Sequence, residues 1–181
     1  FYRNLPAHDY GLIILRVHSG LVAERDAETG EMRPQEYVSL FTGEPYSETK
    51  YVDEVKPGPL GIAPLGVARH YEGGAPYFAV GLNFIKYLMH GRFHKTLVIL
   101  MGCDGLRSER TGQAFLDKGA RAFVSWSQPV SASHTDAATL RLLEKLLVDE
   151  LDVGDAVRQT AAEVGPDPVY QAELRVLREG P

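Results

Sequence analysis

Three stretches of the chain are apolar almost without interruption: YGLIILRV (10–17), TLVILMG (96–102) and ARAFVSW (120–126). Unbroken runs rich in branched residues are the pattern of strands covered on both faces. Between the second and third runs, RSERTGQAFLDKG (107–119) has the character of a short helix that Gly119 stops. Strand, helix and strand at that interval form a βαβ unit, which predicts a sheet at least partly parallel. GLNFIKYLMHGRF (81–93) reads as the helix leading into the second strand. SHTDAATLRLLEKLLVDEL (133–151) reads as a long amphipathic helix, with Leu140, Leu143, Leu147 and Leu151 on one face and a capping box from Ser133 and Asp136. GDAVRQTAAEVG (154–165) and PVYQAELRVLRE (168–179) predict two closing helices.

Residues 21–78 break this rhythm. EYVSLFTG and SETKYVDEV alternate like the arms of a hairpin around Gly43-Glu44-Pro45, and the Gly/Pro-rich KPGPLGIAPLG (56–66) comes after them. The segment is expected as a β-rich insertion at the edge of the core, with Tyr37, Leu40 or Phe41 packing inward. The 181 residues then make one α/β domain, a three-layer sandwich around a mostly parallel sheet.

Composition changes this picture little, but it excludes some functions. A hydrophobic share of 44% with 24% charged residues is ordinary for a globular protein. A net charge of −5 gives no electrostatic case for nucleic acid or an anionic membrane surface. No apolar run reaches the roughly 18 residues of a membrane span. The single cysteine can form no intramolecular disulfide. It gives no reason to expect an oxidising compartment and favours the cytoplasm, although a chain opening on Phe1 leaves localisation unknown.

The chemistry lies at two strand ends. The first apolar run closes on His18-Ser19-Gly20 and the second on Gly102-Cys103-Asp104-Gly105. In an open parallel sheet ligands sit beyond the carboxyl ends of the strands, so neighbouring strands would bring His18 and Cys103 to one edge. A thiol nucleophile needs an imidazole to take its proton and N–H donors for the oxyanion it creates. A lone cysteine after an apolar strand is usually core, and a lone histidine there is usually a polar terminus. The pairing is what points to acyl transfer. His134 falls in the first turn of a helix and is the weaker candidate base. His90 and His94 flank a helix-breaking Gly91 and are expected at the surface, with no metal site. EGGAP (72–76) lacks the flanks of a phosphate-binding loop.

These blocks resemble the caspase-like cysteine peptidases, the fold that includes clostripain, gingipain, legumain, metacaspases and the bacterial CHAT domains. LIILRVHSG is similar to the family's hydrophobic block ending in His-Gly, and LVILMGCDG to the later block ending in a small residue and Cys. FLDKGARAFVSWSQPVSASHTDAATLRLLEKLL also resembles the stretch beyond the cysteine in CHAT-type members. The resemblance covers roughly 9–20 and 80–150. It implies an endopeptidase with Cys103 as nucleophile and His18 as general acid/base. The oxyanion donors would be the Cys103 amide and an amide just after the histidine, Ser19 or Gly20. Its substrate would be a protein or peptide, and no cofactor would be required. Family members carry further strands before the histidine strand, so an upstream segment or partner chain is expected to complete the sheet.

The pocket for the residue before the scissile bond is expected in the loop after the third strand. Trp126 would be its wall, with Ser125 and Ser127 beside it and Asp104 or Asp136 as a charge at its tip. That charge would favour Arg or Lys. An acidic residue directly before the cysteine would favour it further, but Met101 and Gly102 stand there. A catalytically idle caspase-like module for interaction or signalling shares every apolar block. A flavodoxin-like binding domain with a core cysteine is the third reading.

Overall fold

Within two of the apolar runs, Leu97–Leu100 and Ala122–Trp126 are buried at every position because each lies between neighbours and beneath packed layers. The computed structural model describes residues 1–25, 29, 31–57 and 63–178. A 3-10 helix over Tyr2–His8 leads into β1 (Leu12–Leu15), followed by β2 (Ser19–Arg25), β3 (Met32–Pro45), β4 (Gly66–Arg69) and β5 (Pro76–Val80). One π-helical segment, Phe84–Leu88, precedes β6 (Leu97–Leu100), α1 (Glu109–Asp117) and β7 (Ala122–Trp126). The chain continues through α2 (Ala132–Leu147), α3 (Val153–Val164) and β8 (Leu174–Arg178).

The first sheet runs β1-β6-β7-β8, with β1, β6 and β7 parallel and β8 antiparallel to β7. One face packs Leu97, Ile99, Val124 and Trp126 against Ala138 and Leu142 of α2 and Val157 of α3. The other packs Val98, Leu100 and Phe123 with Phe115 of α1, Phe84 and Ile85, and Leu40, Phe78 and Val80 of the second sheet. That sheet is antiparallel throughout, in the order β2-β3-β5-β4. Its strands do not intervene between β1 and β6, which pair directly from Leu12 with Leu97 to Leu15 with Leu100. The protein is therefore an α/β fold with one mostly parallel and one antiparallel sheet.

Several elements differ from expectation. Besides β2, β3 pairs with β5 rather than with SETKYVDEV, whose residues form turns. The apolar PYFAV buries Phe78 and Val80, whereas SETKYVDEV carries Glu48, Lys50, Asp53 and Glu54 and has less to gain from the core. Leu40 packs inward and Tyr37 lies partly against the same core, but Phe41 turns the other way and stacks on His70. Residues 58–62 of the Gly/Pro-rich passage lie outside the described residues. The expected 81–93 helix is reduced to the π-helical segment.

The last predicted helix contains a strand instead. Leu174 and Val176 face α3 while Leu177 joins the opposite core, a period of two that also satisfies the free edge of β7. A short apolar run fits either period, and the unpaired edge decides between them.

α2 also presents a different face. It buries Thr135, Ala138, Thr139, Leu142 and Lys145, while Leu140 is 69% and Leu147 65% exposed. Small side chains let the helix approach the sheet, and Thr135 accepts the buried Trp126 indole N–H at 2.9 Å. At the end of α1, Gly119 has φ 101°, and a β-carbon there would stand 2.3 Å from the Phe93 carbonyl oxygen. Only glycine fits that stop. No helix among the described residues is long and apolar enough to cross a membrane.

The capping box at Ser133 and Asp136 does not form, because the helix begins earlier, with Ser131 as its N-cap. The buried Asp167 does the capping. Its carboxylate accepts the Ser131 N–H at 2.9 Å and the Ser131 hydroxyl, and also the Val169 and Tyr170 N–H groups at 2.9 and 2.8 Å. Burial pushes this carboxyl up, but the hydrogen bonds outweigh it and hold the group far below its ordinary value of 3.8. A depressed folded-state pKa stabilises the protein above the unfolded value, and the contribution is lost as pH falls below it. Asp167→Ala, which strands three backbone donors, should cost about 3 kcal/mol in urea unfolding at neutral pH. The wild-type advantage over this variant should shrink steadily as unfolding is repeated from about pH 5 towards pH 2.

Candidate active site

Parallel pairing of β1 and β6 delivers both strands to the same edge. The Met101 N–H donates to the Leu15 carbonyl at 2.9 Å, the last rung before the strands diverge. His18 and Cys103 each lie three residues beyond the paired Leu15 and Leu100. The two segments then touch. Ser19 is buried, and its hydroxyl donates to the Cys103 carbonyl at 2.7 Å. A β-carbon on Gly102 would stand 2.1 Å from Ser19 Oγ and 2.7 Å from the Val17 carbonyl oxygen, so glycine is required for the approach.

Cys103 is half-buried against the core beneath α2 and α3. Its sulfur accepts the Val130 N–H at 3.4 Å and donates to the Val130 carbonyl at 3.7 Å. The Cys103 N–H has no acceptor among the described residues. Asp104 comes next, in the left-handed region, with φ 62°. Its carboxylate faces the Leu21 N–H and lies 3.4 Å from the Arg107 guanidinium. Burial pushes the Asp104 carboxyl up, and Arg107 opposes that shift.

The His18 imidazole is engaged elsewhere. Its ring lies 4.4 Å from the His70 ring and 5.8 Å from Phe41, and Phe41 and His70 stack at 4.3 Å. Tyr77 closes the cluster with its edge 5.3 Å from His70, centre to centre. The position follows from pairing, because the Phe41 N–H donates to the His18 carbonyl at 2.8 Å. Burial first, and then the neighbouring His70, pushes the His18 imidazole below its ordinary 6.5. An open cleft of about 1240 Å³ spreads from this cluster, with Tyr37, Arg69 and Arg110 among its walls. No hydrogen bond joins the His18 ring to the Cys103 sulfur among the described residues. The backbones meet while the two functional groups face different partners.

The residues named from sequence therefore divide. His18, Ser19, Gly20, Cys103 and Asp104 gather at one edge. The expected pocket wall does not form an open surface there. Trp126 is 1% exposed, and Ser125 is buried with its hydroxyl donating to the Leu100 carbonyl at 2.9 Å. Ser127 is buried too, exchanging hydrogen bonds with the Glu173 backbone, both at 3.0 Å. β7 has a strand on each side and cover on both faces, so its end inherits that burial. Asp136 is exposed and held by Arg16 through contacts of 2.9 and 2.8 Å, which keep its carboxyl below the usual range. Asp104 turns to β2 instead of lining a pocket.

His134 Nε2 pairs with the Gly165 carbonyl at 3.2 Å, and its ring lies 5.2 Å from that of Trp126, centre to centre. His90 and His94 are exposed. No group of three or more His, Cys, Asp or Glu side chains among the described residues could hold a metal. Sequence reasoning missed His70, whose only local signal is its place between an alternating GVAR strand and a glycine turn.

No family model matches the chain, and neither a curated protein nor a solved structure does.

His70→Ala should raise the His18 pKa, since the change removes the coulombic opposition of the neighbouring ring and opens the imidazole to water, both of which favour the charged form. The His18 ring proton followed by NMR against pH should show a midpoint below 6.5 in the wild type, moving upward in the variant.

Proposed function

We propose that the chain is a cysteine endopeptidase of the caspase-like kind, working through Cys103 and His18. The observation that carries the reading is the in-register meeting of the two strand ends, closed by the Ser19–Cys103 hydrogen bond. Adjacent carboxyl ends of parallel strands are where such a fold presents chemistry. The lowered pKa leaves His18 neutral near pH 7, the form that accepts a thiol proton. Proton transfer needs the imidazole to leave His70 and face the sulfur. The thiolate then adds to the substrate carbonyl: a C–S bond forms and the π electrons move to oxygen, where the Cys103 N–H and an amide of Ser19 or Gly20 donate hydrogen bonds to the resulting oxyanion. Collapse expels the amine, which takes the proton from His18, and water releases the acyl group. Thiol acyl transfer of this kind draws on no cofactor.

Asp104 and Asp136 are both engaged by arginines, which removes the reason to expect Arg or Lys before the cut. The substrate is a polypeptide entering from the cleft beside His18.

A specific observation favours the idle module as a second reading. The sulfur is held by the Val130 backbone, and the imidazole rests on His70. A peptidyl chloromethyl ketone separates the two. An active dyad predicts labelling confined to Cys103, slowed about 100-fold or more in His18→Ala. Labelling at the same rate in both proteins supports the idle module. Cys103→Ala should abolish labelling and turnover while costing no more than about 1 kcal/mol of stability, because the side chain is only half-buried.

A further inference from the structure

Alternation along β2 decides which way its backbone points. His18 and Phe41 form a hydrogen-bonded pair, so Gly20 opposite Ser39 is the next such pair, and Ser19 opposite Leu40 lies between them. The Ser19 N–H is thereby turned away from β3, off the edge of the sheet. Leu21 shares this orientation, and its N–H faces Asp104 on the nucleophile turn. The Ser19 and Leu21 amides therefore leave β2 on the side where Cys103 stands.

The contacts across this gap are reciprocal. The Ser19 side chain holds the Cys103 backbone through its carbonyl. The Asp104 side chain faces the β2 backbone, with Oδ2 4.0 Å from where a β-carbon on Gly20 would stand. Both side chains are buried, and they cross between segments more than 80 residues apart in the chain. The Cys103 carbonyl is occupied by Ser19 while its N–H has no acceptor among the described residues. Fixing the carbonyl limits rotation of the residue and leaves the N–H open to an incoming oxygen.

We propose that Ser19 and Asp104 are positioning residues whose side chains clasp the nucleophile turn to β2, and so hold the Cys103 N–H and the amide after His18 at a fixed separation as oxyanion donors. The proposal rests on the peptidase reading above and adds to it the two side chains that hold the donors in place. It also gives the Ser19 side chain a role where the resembling family carries glycine. An oxyanion site works only if its donors are already at hydrogen-bond distance from the developing charge, so loosening the clasp weakens acyl transfer without touching the thiol.

Two electrophiles isolate this effect. Iodoacetamide alkylates a thiolate by forming a C–S bond as iodide leaves, and no oxyanion arises. A peptidyl aldehyde accepts the thiolate at its carbonyl carbon and places the electron pair on oxygen, as a substrate does. Ser19→Ala should leave the Cys103 alkylation rate within about twofold of wild type. It should lower kcat and aldehyde affinity by about 10- to 100-fold with KM little changed. Asp104→Asn, a weaker acceptor that tolerates the left-handed backbone, should shift both in the same direction by about 3- to 10-fold. Ser19→Ala with wild-type kcat and aldehyde affinity overturns the clasp alone. Alkylation falling in step with turnover also overturns it, by showing general damage to the thiol. A wild-type protein that neither cleaves peptides nor binds the aldehyde at Cys103 overturns the peptidase reading, and the catalytic role of the clasp with it.

Discussion

Gly102 admits the contact on which the two sheets depend. With a side chain there, the histidine segment could not approach, because Ser19 Oγ and the Val17 carbonyl already occupy the space. Only Arg16, Val17 and His18 separate the end of β1 from the start of β2. The edge strand of one sheet therefore becomes the edge strand of the other at the point where β6 ends. Displacing that segment would disturb the pairing of Ser19 with Leu40, and Leu40 lies in the core shared by both sheets. The same close approach brings His18, Cys103 and Asp104 to one place. Fold and site thus share a dependence on this glycine.

Burial on two faces explains where chemistry is and is not presented. β7 sits between β6 and β8 and beneath α2 and α3, so Ser125, Trp126 and Ser127 spend their polar atoms on the protein itself. β1 lies at the edge of its sheet among the described residues, and the chain leaves it through His18 into an open cleft. A strand that exits at an edge can offer side chains to a ligand.

Three aspartates show how strongly surroundings outweigh residue type. Asp167 is buried but receives enough donors to stay ionised far into acid, and it starts α2. Asp104 is buried with a single guanidinium and one backbone amide before it, and its carboxyl is pushed upward. Asp136 is exposed and simply pairs with Arg16. In the sequence, Asp104 and Asp136 both stand as candidate pocket charges, and nothing marks out Asp167.

The apolar runs at 10–17, 96–102 and 120–126 were legible as strands, with α1 and α3 as helices, because each pattern is local and long enough to fix its period. The approach of His18 to Cys103 was legible too, since parallel strands must end at the same edge. Non-local competition hid the rest. Whether LRVLR coils or extends depends on the vacant edge of β7, and which face of α2 is buried depends on the Trp126 indole beneath it. The sequence alone determined the sheet's parallel core and the meeting of two strand ends. Only the tertiary structure decided what each functional group there would face, because the imidazole, the thiol and the carboxylate take their partners from His70, Val130 and Leu21, segments that no local pattern connects to them.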